Sequence, residues 1–125
     1  MTGHHSSLDY WIVKLTKQGD LLWQKCYGGS DFDYGRKVIQ NTNGDLVIIG
    51  EVKSKNGDVV GNFGVQMIWV LKLNGQGELI WKKILGGTEG EEGRDIQQTS
   101  DSGYILGGYA WSNNGDVSGN HGEAD

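Results

Sequence analysis

The run Asn56-Gly57-Asp58-Val59-Val60-Gly61-Asn62 returns 58 residues later as Asn114-Gly115-Asp116-Val117-Ser118-Gly119-Asn120. Working outward at the same shift, Trp11 falls on Trp69, Trp23 on Trp81, Gly28-Gly29 on Gly86-Gly87, and Arg36 on Arg94. Between residues 9 and 66, 22 positions are identical to their counterparts 58 residues on, with no gap. The register extends to the ends, where Met1 to His5 align with Val117 to His121 and Asp9 aligns with Asp125. The chain is thus two copies of one unit, residues 1–66 and 67–125.

Each copy carries four strand signals. The first, Tyr10 to Leu15 and Ile68 to Leu73, is apolar on both faces, as a strand buried in a stack of sheets must be. A turn with Gly19 or Gly77 leads to the second, Leu21 to Cys26 and Leu79 to Ile84, making a hairpin. A glycine-rich loop, Gly28 to Gly35 or Gly86 to Gly93, precedes the third strand, Arg36 to Gln40 and Arg94 to Gln98. A polar turn then leads to the fourth, Leu46 to Val52 and Tyr104 to Ala110, and a longer polar loop closes the period. No segment has useful helical periodicity. The expected fold is all-β, and four short antiparallel strands per 58-residue repeat are the content of one β-propeller blade.

Composition fits short strands and tight turns: 22 glycines, no proline, five Trp and five Tyr in 125 residues. A net charge of −5 leaves no basic footprint for nucleic acid. The longest apolar stretch, Leu46 to Ile49, is far too short for a membrane-spanning helix, so membrane insertion is not expected. The polar start, Met1 to Tyr10, lacks the apolar centre of a secretory signal. Cys26 is the single cysteine and stands where the second copy has Ile84, so it reads as a small packed residue rather than a nucleophile.

The order Trp-x-x-Lys-Leu, Gly turn, Leu-x-Trp, Gly-Gly-Ser/Thr, acidic loop, then Gly-Asp-Leu or Gly-Tyr-Ile ending in Gly resembles the bacterial β-propeller repeat of the seven-bladed, SBBP type. Here it runs from Trp11 to Gly50 and again from Trp69 to Gly108. The resemblance implies a non-catalytic binding or scaffold module in a secreted or cell-surface bacterial protein, because such propellers are frameworks for different surfaces. It also implies that a blade begins after the glycine-rich loop. One blade is then contiguous, at about 35–85, and a second is split between 93–111 and 10–27. Two blades cannot close a ring. The expected partners are flanking blades of a longer chain or other copies joined head to tail, as a closed ring or a filament. A glycan or protein ligand is expected on the finished surface.

Three constellations carry candidate chemistry. Side-chain oxygens alternate along Asn114, Asp116, Ser118 and Asn120, and along Asn56, Asp58 and Asn62, as in calcium loops; the plainer reading is a tight Asx turn. Calcium is the one cofactor this pattern suggests. Trp111, whose counterpart is Lys53, stands beside Asn113, Asn114 and His121, the combination of an aromatic face with amides that a lectin-like glycan site needs. The acidic loops Asp31-Phe32-Asp33 and Glu89 to Glu92 supply paired carboxylates of the glycoside-hydrolase type. Their identities change between copies while Gly and Arg36/Arg94 persist, which favours a structural loop with an Arg–carboxylate contact. Thr99 to Tyr104 partly resembles the aspartate box of sialidase propellers, itself a structural turn.

Overall fold

The computed structural model describes residues 7–62 and 65–119. Among them lie eight strands, all paired antiparallel, and no helix. The strands are β1 (Tyr10–Leu15), β2 (Leu21–Tyr27), β3 (Asp33–Gln40), β4 (Leu46–Val52), β5 (Met67–Leu73), β6 (Leu79–Leu85), β7 (Glu91–Gln98) and β8 (Tyr104–Ala110). They form three sheets: a hairpin β1-β2, a four-stranded meander β3-β4-β5-β6, and a hairpin β7-β8. The meander runs from Asp33 to Leu85.

The meander is the middle layer, and its two faces explain why β4 and β5 read as nearly unbroken apolar runs. Alternate side chains of a strand point to opposite faces. Ile48, Val52, Trp69, Leu71 and Leu73 face β1-β2, where they pack against Tyr10, Ile12, Trp23 and Tyr27. Val47, Ile49, Ile68 and Val70 face β7-β8 and meet Ile96, Tyr104 and Leu106. Tyr10 is anchored twice. Its ring meets that of Trp69 edge to face at 4.9 Å, and its hydroxyl donates to the Trp69 carbonyl at 3.0 Å.

The sequence repeat is also a repeat in space. The Asp33 N–H donates to the Leu8 carbonyl at 2.7 Å, and 58 residues on, the Glu91 N–H donates to the Gln66 carbonyl at 2.9 Å. Tyr10 lies over Gly35 as Ile68 lies over Gly93. The hairpin β1-β2 therefore sits on β3-β4 in the way that β5-β6 sits on β7-β8.

The third strand of each copy starts earlier than the sequence pattern indicates, at Asp33 and Glu91 rather than Arg36 and Arg94. The register shifts between Gly35 and Lys37, and again between Gly93 and Asp95, so each Arg is the extra residue of a bulge. The bulge brings backbone very close to the opposing glycine: a Cβ on Gly50 would overlap the Tyr34 carbonyl, and one on Gly108 the Glu92 carbonyl. Gly107, one residue away, has open space around it. Gly50→Ala is therefore expected to cost about 3 kcal/mol by overpacking. Gly107→Ala should change stability by about 0.5 kcal/mol, in the favourable direction, by limiting the unfolded chain. Urea unfolding of the two variants measures both.

Candidate functional site

The residues singled out from sequence meet at one end of the sheets, around the glycine-rich loops. Four consecutive N–H groups, from Gly28 to Asp31, project from the first loop. They donate to Asp58 Oδ2 at 3.0 Å, Asp33 Oδ2 at 3.0 Å, Asn56 Oδ1 at 2.9 Å and Ser54 Oγ at 3.0 Å. The second loop repeats the arrangement. Gly86, Gly87, Thr88 and Glu89 donate to Asp116 Oδ2, Glu91 Oε2, Asn114 Oδ1 and Ser112 Oγ at 2.8–3.0 Å. A run of backbone N–H groups is an anion-binding shape, and here the chain's own acceptors fill it. Gly28 and Gly29 are needed because a Cβ on either would strike Asp33, Asn56 or Ser54.

This geometry decides what the Asn-Gly-Asp loops offer a cation. The oxygens of Asn56, Asp58, Asn114 and Asp116 face N–H donors of the neighbouring loop, and Asn62 Nδ2 donates to the Val52 and Ser54 carbonyls at 3.3 and 2.9 Å. Ser118 is exposed, and Asn120 lies outside the described residues. The arrangement fits the Asx-turn reading. Among the described residues no three of His, Cys, Asp and Glu gather as metal ligands do.

The acidic residues also separate. Asp31 and Glu89 are exposed, whereas Asp33 and Glu91 are strand residues, each 1% exposed. Asp33 accepts from the Gly29, Lys53 and Ser54 N–H groups and from Ser54 Oγ at 2.6 Å. Burial pushes its carboxyl pKa up, and the hydrogen bonds from Ser54, Gly29 and Lys53 pull against that. In each loop one acid is exposed and one is buried, and the further acid of the second loop, Glu92, is paired with Arg94. The expected Arg–carboxylate contact forms in both copies, with different acids: Arg36 Nε pairs with Glu51 on β4 at 3.0 Å rather than with Asp31 or Asp33. Glu51 is fully buried, its Oε2 has no hydrogen-bond partner among the described residues, and burial raises its pKa against the opposing pull of Arg36. Arg94 instead pairs with Glu92 two residues back, because the Glu51 position is Tyr109 in the second copy, and its guanidinium lies over that ring.

Trp111 is 43% exposed, and its backbone N–H is held by the Gly90 carbonyl at 2.9 Å. Asn113 is exposed beside it, while Asn114 is engaged with Thr88 and His121 lies outside the described residues. The Cys26 thiol is buried, and that burial, reinforced by Asp9, raises its pKa. It stays a protonated, packed group.

The feature that sequence reading missed is a groove of about 530 Å³ between β1 and β3, floored by Leu46 and Ile48 of β4. Its rim includes Trp11, which is 61% exposed although its counterpart Trp69 is 1% exposed. Ile105 of β8 is 63% exposed against 0% for its counterpart Val47, and Leu15 is 54% exposed against 0% for Leu73. The difference has one cause. β4 and β5 are paired with each other, while β1 and β8 each have one strand edge without a partner strand among the described residues. Fully burying a side chain of this size is worth about 1.5–3 kcal/mol. No protein-family model matches this chain, and no curated protein matches it.

Two outcomes are expected from the buried carboxylates. Asp33→Ala strands the Gly29, Lys53 and Ser54 donors and should cost about 2–3 kcal/mol in urea unfolding. Glu51 holds its proton to higher pH in the folded chain than in the unfolded one. The stability it contributes is complete below the ordinary carboxylate range and is lost as pH rises through the raised value. The stability of the wild type relative to Glu51→Gln should therefore fall as pH is taken from about 4 to about 7, with no such drift if Glu51 titrates normally.

Proposed function

We propose that the chain is a non-catalytic binding or scaffold module of β-propeller type. In this reading β3–β6 is one blade, and β7-β8 and β1-β2 are the inner and outer halves of others. Flanking blades or further copies of the chain complete the open edges. The observation that carries the reading is the contrast between Trp69 and Trp11, the same residue at the same place in the repeat, buried once and exposed once. The stacking of three sheets by one repeated operation supports it. So does the resemblance of Trp11 to Gly50 and Trp69 to Gly108 to SBBP-type repeats. With that resemblance comes the proposal of a secreted or cell-surface protein. Among the described residues no helix is long and apolar enough to cross a membrane.

The module is proposed to be no enzyme, since Asp33 and Glu91 are spent on backbone N–H groups and Cys26 is packed away. A second reading, a lectin-like surface, is favoured by the exposure of Trp111 beside Asn113 at a loop rim. In that case Trp111→Ala should abolish retention on immobilised glycans without changing the circular dichroism spectrum. The scaffold reading is tested by mass in solution. Light scattering should return a multiple of 13.7 kDa, three or four chains for a six- or eight-bladed ring. A well-behaved monomer at millimolar concentration would count against completion by copies of the chain.

A further inference from the structure

We propose that β8 of one molecule pairs with β1 of the next in the register that β4 and β5 use within the chain. The inference rests on the scaffold reading and specifies its partner, a second copy, together with the contacts that select it. The operation that carries β1–β4 onto β5–β8, applied once more, carries β5–β8 onto β1–β4 of a neighbouring copy. Within the chain Leu46 pairs with Leu73, Ile48 with Leu71, and Gly50 with Trp69. Moving each number by 58 gives Tyr104 opposite Leu15, Leu106 opposite Val13, and Gly108 opposite Trp11 of the next copy. Glycine again faces tryptophan, as Gly50 faces Trp69 within the chain.

Two contacts outside the strand pair agree with this register. Trp23 packs on the β5-β6 turn: its Nε1 donates to the Gly75 carbonyl at 3.2 Å, and a Cβ on Gly77 would meet its ring at 2.9 Å. The second copy has Trp81, which is partly exposed, and the first copy has Gly19, with φ +92° and nothing around its Cβ position. The repeated operation lays Trp81 on Gly19 of the next molecule. Along the inner strands, Lys37 Nζ pairs with Asp95 Oδ1 at 2.6 Å, and these two are themselves counterparts. The next copy then sets its own Lys37 against the other side of Asp95, so charge alternates from strand to strand. Like charges would meet if a molecule were added in the reverse order. The groove between β1 and β3 is the seat this interface fills, with β8 adding to the β1 edge by strand addition.

The test uses full-length chains with Cys26→Val as background. A chain carrying Ile105→Cys is mixed with one carrying Lys14→Cys, the counterparts of the Val47–Lys72 pair. Oxidation should give a covalent dimer, and Ile105→Cys with Val13→Cys, one residue out of register, should give at least tenfold less. Equal yields overturn the register. A solution multimer with no cross-link leaves completion by copies standing and overturns this inference, while a monomer overturns this inference and leaves the scaffold reading with flanking blades as its partners. Gly19→Asn provides a second readout, since asparagine tolerates the left-handed backbone and the site is open within one chain. It should leave the thermal unfolding of the dilute chain unchanged and weaken assembly at least tenfold. Assembly at wild-type strength would contradict the contact with Trp81.

Discussion

The pairing of β4 with β5 is the constraint on which the rest depends. Both strands are apolar on both faces, so neither can be stable with less than a neighbour at each edge and a layer on each side. The chain meets the demand for this central pair with β3 and β6 at the edges and two hairpins on the faces. Among the described residues the same demand is not met for β1 and β8, which carry nearly the same pattern. The result is a molecule whose centre is packed like a protein interior and whose outer strands are interior strands left at the surface. Natural sheets normally protect such edges with charge, proline or cover. Here the edge strands carry Trp11, Leu15, Ile105 and Tyr109.

The loop ends are held by a different device. A short stretch of backbone N–H groups is filled by a buried carboxylate from the next strand and by Asx and Ser oxygens from the long loop. This ties the start of β3 to the end of β4, and the start of β7 to the end of β8, without any apolar side chain. It also accounts for the tolerance of Asp or Glu at that position: what is required is an acceptor that reaches the second glycine N–H. The site chemistry suggested by acids and amides in sequence is thereby turned inward, into structure. The surface left for a partner is Trp111, the exposed Asn113 and the open groove.

Much of the fold was legible because the strands are apolar runs bounded by glycine turns, and because a repeat tests each assignment twice. β1, β4 and β8 begin and end where the pattern places them. Asp33 and Glu91 look like loop residues in the sequence because an acid beside glycine and aromatics carries no periodicity. The persistence of Ser54/Ser112 and Asn56/Asn114 alongside them is the signal that they share one hydrogen-bonded unit. The Arg36–Glu51 pair was hidden for the opposite reason, since Tyr109 replaces the acid in the second copy. Nor does the sequence separate Trp11 from Trp69. Repeats are identical in local pattern, and only the count of neighbouring layers tells inner from outer.

Amide hydrogen exchange across a concentration series measures this most directly. Amides of β1 and β8 are expected to gain protection as molecules associate, approaching that of β4 and β5 to within about tenfold, and to lose it on dilution while β4 and β5 stay protected. Exchange in β1 and β8 that remains fast at every concentration would contradict it.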